Sequence, residues 1–137
     1  MATTFCTWTS DLPPPLRGVG VDAERIDRFH REPLEGVFGP EECRRASRGD
    51  GRDAVRLCIG FCVKEALFKA LGEPFDPREC EVEAGEGTAE GRVEVRLHGE
   101  LALRLRGCAL EVRVWQESGE VRAAVLLAGG PGTGEGR

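Results

Sequence analysis

At 137 residues with a formal charge of −5, the chain has the size of one domain able to bury a core without disulfide or metal staples. Its 40% hydrophobic and 31% charged residues exclude a disordered low-hydrophobicity chain. The longest purely apolar run, Ala123 to Ala128, is far below the ~18 residues a spanning helix needs, and MATTFCTWTSDLPPP at the start lacks the features of a secretion signal, so a cytoplasmic protein with no membrane partner is predicted.

In chain order, residues 1–17 are rich in Thr, Ser and Pro and read as a flexible lead-in. A single domain is expected over 18–128, and 129–137, with five Gly, reads as a disordered tail. Gly18–Val21 looks like a short buried strand, followed by helical spacing around Ile26 and Phe29 that Pro33 breaks. A second short helix is expected near Pro40, where Pro, Glu41 and Glu42 suit an N-terminus. The clearest element spans about Arg52 to Leu71, with Asp50 or Asp53 as its cap and Gly72 and Pro74 as its stop. Apolar residues occupy so much of its circumference that burial on most sides is predicted. Cys80–Ala84, Gly91–Leu97, Leu101–Leu105, Leu110–Trp115 and Glu120–Ala128 alternate or run apolar between Gly-containing turns such as Gly85–Gly87, which predicts an antiparallel meander. The fold class is α+β, an antiparallel sheet packed against one long helix.

Charge is segregated along this order. Arginines 44, 45, 48, 52 and 56 outweigh Asp50 and Asp53, whereas residues 73–100 hold nine acids against three Arg. The acidic total argues against a nucleic-acid partner. Six cysteines include no C-x-x-C pair, so no zinc knuckle or thioredoxin-type motif is written here. Cys58 and Cys62 read either as two soft ligands on one helical turn or as small core hydrophobes, the commoner state of a free cysteine.

Two segments carry the chemistry. Gly-Val-Gly-Val-Asp-Ala-Glu at 18–24 places Asp22 and Glu24 two apart at a strand end, projecting to the same side. Close carboxylates repel, and a bound cation holds them together; strand ends also carry acids without any such role. The glycine spacing is not a dinucleotide fingerprint, because Gly20 precedes an acid rather than a third Gly opening a helix. In Phe61-Cys-Val-Lys-Glu-Ala-Leu-Phe-Lys-Ala-Leu-Gly72 fall both lysines of a chain that otherwise uses 17 Arg. Lys64 and Lys69 therefore ask for a compact ammonium, suited to phosphate oxygens. The plainer alternative for Lys69 is an i,i+4 surface pair with Glu65.

Together these segments resemble the 4′-phosphopantetheinyl transferase superfamily: GVGVDAERIDRF its first motif, GFCVKEALFKALG its second. The spacing and chain length are similar to the small, holo-acyl-carrier-protein-synthase type. The resemblance implies a 4′-phosphopantetheinyl transferase-like fold and transfer of the phosphopantetheine arm of coenzyme A to a serine of an acidic acyl or peptidyl carrier protein. It implies Mg²⁺ held by Asp22, Glu24 and Glu65, Glu24 matching an acid found in the larger, surfactin-synthetase type. It implies Glu65 and Lys69 as catalytic residues, and Lys64, Lys69 and Arg28 as coenzyme contacts. A homotrimer is implied for a small member, and the arginines of 44–56 become a candidate carrier-docking patch. Gly60 stands where small members usually carry Arg, and Val112–Trp115 replaces a Ser/His-bearing stretch. A non-catalytic module that binds coenzyme A or a carrier protein is the alternative expectation.

Overall fold

In the computed structural model, residues 15–49, 51–84 and 91–129 are described; the expected lead-in over 1–14, the turn at Gly85–Gly87 and the tail from 130 onward lie outside them. The element that organises the rest is helix α2, Ala54–Leu71. It begins where the Asp53 side chain accepts the Arg56 backbone N–H and ends at Gly72 with φ +78°, a left-handed cap that glycine adopts without strain. Leu57, Cys58, Ile59, Cys62, Val63, Ala66 and Leu67 are all buried, as the all-round apolar pattern predicts. Before it lie strand β1, Leu16–Arg25, a 3-10 turn at Ile26–His30, helix α1, Pro40–Arg45, and the two-residue strands β2, Ser47–Arg48, and β3, Gly51–Arg52. After it come β4, Cys80–Glu83, β5, Gly91–Arg92, β6, Glu94–Leu97, helix α3, Gly99–Arg104, β7, Cys108–Glu117, and β8, Glu120–Gly129.

The main sheet has the order β1-β8-β7-β5, antiparallel throughout, and α2 packs on one face of it. Val121, Ala123, Val125 and Leu127 of β8 and Leu110, Val112 and Val114 of β7 fill the space between them. The α+β class is as expected, with an antiparallel sheet against one central helix. Edge strand β1 and its neighbour β8 run longer than their sequence patterns suggest: β1 begins at Leu16, which pairs with Ala128, and β8 reaches Gly129.

Glycine explains how close the layers come. A Cβ on Gly20 would lie 1.8 Å from the Ala66 carbonyl oxygen, and one on Gly18 would lie 1.9 Å from that of Ala70. The Gly-x-Gly spacing therefore serves backbone contact between β1 and α2. On the far side of the same strand Leu16, Val19 and Val21 are 61%, 51% and 59% exposed.

The expected meander needs two corrections. Leu101–Leu105 is not a strand: it lies in and just after α3, where Gly99 takes φ +59° and the Glu79 carboxylate accepts the Leu101 N–H at 3.0 Å. Leu-Ala-Leu-Arg-Leu fits either period, and a cap supplied from 22 residues away selects the helix. The Gly91–Leu97 run is also divided: β5 pairs with β7, whereas β6 pairs with β4 in a separate two-stranded sheet. Among the described residues, no helix is long and apolar enough to cross a membrane.

Candidate active site

The inward face of β1 carries Gly18, Gly20, Asp22 and Glu24 in alternation, the glycines bringing the strand onto α2 and the acids following where it meets the helix's middle. On α2, Cys62, Glu65, Ala66 and Lys69 share a face through their i, i+3, i+4 and i+7 spacing. The Cys62 thiol donates to the Asp22 carbonyl at 3.3 Å and the Cys58 thiol to that of Glu24 at 3.5 Å. Both thiols are buried, and burial pushes Cys58 up to about 12 and Cys62 higher still. Of the two readings of this pair, the small core hydrophobe is the one observed.

Lys69 donates to Asp22 Oδ1 at 3.1 Å and to the Val21 carbonyl at 3.0 Å, and its side chain is half exposed. The Asp22 side chain is 10% exposed, and its Oδ2 is buried without a hydrogen-bond partner. Glu24 faces it. Burial first, then hydrogen bonding and repulsion from Asp22, raise the Glu24 carboxyl to about 7, against a smaller opposing pull from Arg28. Two facing carboxyl groups, one of them with an idle buried oxygen, form a donor set suited to a hard divalent cation. Among the described residues, no group of three acid, His or Cys side chains is close enough to hold a metal ion. Asp22 and Glu24 are thus paired as expected, but the expected triad with Glu65 is not assembled; Glu65 is half-buried on the facing helix.

The two lysines part company. Lys64 is 2% exposed, and its ammonium donates to Glu42 Oε1 at 3.0 Å, to the Pro77 carbonyl at 2.8 Å and to the Cys80 carbonyl. With three protein acceptors and no solvent face it has nothing left for a coenzyme phosphate, so that expectation is corrected: Lys64 ties α2 to α1 and β4. Its partner Glu42, which also accepts the Gly39 and Val82 N–H groups, reads in the sequence only as an acid at a helix N-terminus.

Arg28, expected to contact coenzyme, reaches Glu24 Oε1 at 2.5 Å through Nη1 and Glu32 Oε1 at 3.1 Å through Nε. Its guanidinium lies 4.7 Å from the Phe61 ring centroid, which gives the motif aromatic a role as a cation-π platform. Four of the arginines of 44–56 have partners within the chain. Arg44 pairs with Glu41 at 2.6 Å, Arg45 with Glu81 at 3.1 Å, and Arg56 with Asp53 at 3.6 Å; Arg52 donates to the Glu32 carbonyl at 2.7 Å. Three of the five arginines of the expected docking patch, Arg44, Arg45 and Arg56, are thus paired with acids. Gly60 faces inward, where a Cβ would meet Phe38 at 3.1 Å, so an arginine there would not fit without rearrangement. Beside Asp22 and Lys69 opens a recess of about 380 Å³ lined also by Val21, Ala23, Trp115 and Arg122. The cross-strand pairing of Trp115 with Arg122 builds its wall; only the hairpin register, absent from the sequence reading, would have pointed to it.

A family model for the 4′-phosphopantetheinyl transferase superfamily matches residues 18–124, a span that contains every residue of this site. The holo-[acyl-carrier-protein] synthase of Streptomyces coelicolor is 34% identical over 126 residues, covering 82% of this chain and 97% of that protein. Among solved structures, the Mycobacterium tuberculosis acyl carrier protein synthase superposes with a TM-score of 0.63 at 30% identity, over 83% of this chain and 98% of the other. The acyl carrier protein synthase–coenzyme A complex from Chronobacterium ammoniagenes gives the same TM-score at 27% identity and the same coverage. With motif spacing, fold and site on the same residues, the chain belongs to the 4′-phosphopantetheinyl transferase superfamily.

Proposed function

We propose that this chain transfers 4′-phosphopantetheine from coenzyme A to a serine of an acyl or peptidyl carrier protein, with Mg²⁺, releasing adenosine 3′,5′-bisphosphate. The observation that carries the reading is the Asp22–Lys69 pair with its idle buried oxygen beside Glu24. It offers carboxylates for a cation and an ammonium for anionic oxygens at one point of the fold. Asp22 and Glu24 are the residues that would hold the Mg²⁺, whose chemistry there would be to neutralise diphosphate charge.

The chain's own side chains supply the rest. Lys69, half exposed on α2, binds a diphosphate oxygen and stabilises the charge that develops there. Glu65, on the same helix face, accepts the proton of the carrier serine. The serine oxygen forms its bond to the phosphorus bearing the pantetheine arm as the bond to the adenosine bisphosphate breaks. Lys64 fixes α2 against α1 and β4, and takes no part in the chemistry.

The uncovered outer face of β1, with Leu16, Val19 and Val21 exposed, supports assembly with further copies as a homotrimer. The free thiols of Cys43, Cys58, Cys62, Cys80 and Cys108 are in keeping with a reducing compartment such as the cytoplasm. The test is mass spectrometry of an apo carrier protein incubated with coenzyme A, Mg²⁺ and this protein. The expected result is a phosphopantetheine mass gain on the carrier serine. Coenzyme A binding without any gain across several carriers would refute transfer and leave the non-catalytic module.

A further inference from the structure

We propose that Arg28 is the resident counter-cation of the Asp22–Glu24 pair, and that a divalent cation entering this pair displaces it from Glu24. The proposal rests on the reading that Asp22 and Glu24 hold such a cation. Each acid has its own internal cation: Lys69 sits on Asp22 at 3.1 Å, and Arg28 on Glu24 at 2.5 Å. The Glu24 side chain is only 16% exposed, so water does little to balance it, and the guanidinium takes that place. Asp22 Oδ2 has no such partner. A cation held by Asp22 and Glu24 would therefore compete with Arg28 for the Glu24 carboxylate.

Arg28 is held independently of Glu24. Its Nε and Nη2 meet the two Glu32 oxygens at 3.1 and 3.4 Å, and its plane lies over Phe61 and Phe29, 4.7 and 5.3 Å from their ring centroids. Only Nη1 is given to Glu24. When Glu24 turns to a cation, the guanidinium stays anchored and Nη1 becomes a free donor at the rim of the site, suited to a phosphate oxygen. Cation and diphosphate ester then bind cooperatively through one shared carboxylate, and the coupling is reciprocal.

The experiment measures Mn²⁺ binding to the full chain without substrate, by the electron paramagnetic resonance of free Mn²⁺. Asp22→Asn should weaken binding strongly, which locates the ion. Arg28→Gln should bind Mn²⁺ about three- to fivefold tighter, the size expected of a partly exposed ion pair. In a Glu24→Gln background the same Arg28→Gln change should alter affinity by less than about 1.5-fold, because the carboxylate through which it acts is gone. Equal tightening in both backgrounds would reduce Arg28 to a general charge effect and overturn the proposal, as would no tightening at all. Wild-type binding that is absent, or indifferent to Asp22→Asn, would instead overturn the cation reading itself and the proposal with it. Arg28→Lys keeps the charge but loses the fork, and gives an intermediate affinity if the pair is as described; melting temperatures of all variants check that they fold.

Discussion

Replacing Gly20 by alanine would test whether the site depends on backbone contact between β1 and α2. The added Cβ would lie 1.8 Å from the Ala66 carbonyl oxygen and 2.7 Å from the Ala70 nitrogen. Both are backbone atoms of a helix interior, which cannot rotate away as a side-chain tip can. Restoring even a 3.0 Å separation requires the strand to withdraw by about 1.2 Å from α2. The Asp22–Lys69 bond, now 3.1 Å, would then stretch to roughly 4.3 Å, beyond hydrogen-bond reach. Overpacking of this kind costs about 1–3 kcal/mol, and for a chain of this length the upper figure corresponds to a melting temperature lower by roughly 10 °C. Calorimetry and a transfer assay at saturating coenzyme A would be run beside Gly39→Ala, where φ is −76° and the added Cβ meets nothing closer than 3.6 Å. Gly20→Ala should lose stability and most of its transfer rate, while Gly39→Ala should lose little of either. A Gly20→Ala protein melting within 2 °C of the parent and transferring normally would refute the close-packing argument.

Glu65→Gln should abolish transfer without unfolding the protein; an unaffected rate would show that the proton acceptor lies elsewhere. The two lysines should separate cleanly. Lys64→Ala leaves the buried Glu42 without its cation and should destabilise by about 3–5 kcal/mol, whereas Lys69→Ala, at a half-exposed pair, should change stability by less than ~1 kcal/mol and lower the transfer rate. Thermal melts and rates on both variants decide this. For the thiols, a folded-state pKa raised by burial, to about 12 at Cys58, gives stability fully present below the unfolded thiol value near ~8.5 and lost as pH climbs toward the folded value. Peptide mapping should find Cys58 and Cys62 unmodified by iodoacetamide at pH 8 in the native protein and labelled in urea. The fall in melting temperature above pH 9 should be shallower in a Cys58→Ala/Cys62→Ala protein.

The parts legible in the sequence are those set by local pattern. Helix α2 announces itself through its apolar circumference and its Asp53 and Gly72 caps, and Asp22 and Glu24 share a face because strand residues two apart must. What escaped is set by distant partners. Lys64 and Lys69 are the same residue type on one helix, yet five positions turn the helix by about 140°, so one ammonium enters the core and the other reaches the site. Nothing near Lys64 in the chain names Glu42 as its partner. The Arg-rich stretch reads as a docking surface because Glu81, which pairs with Arg45, and the Glu32 carbonyl, which accepts from Arg52, are brought to it only by folding. Leu101–Leu105 was misread because its helix is capped by Glu79, from the far side of the β4–β6 unit.

The strand that carries Asp22 and Glu24 is paired along its length with β8, so that Asp22 lies opposite Ala123 and Glu24 opposite Val121. Each of these contacts closes a loop of roughly one hundred residues, about three quarters of the chain. On a ribosome, β1 emerges before the other described strands and, among the described residues, has no sheet neighbour until β8 follows it. The helix face bearing Glu65 and Lys69 can form from local interactions long before, but the acids opposite it are fixed only when the two ends of the domain meet. Loop closure of that span makes the step slow, and it makes activity a report on the synthesis of β8: a chain stalled before β8 has its helix and its lysines, and no site.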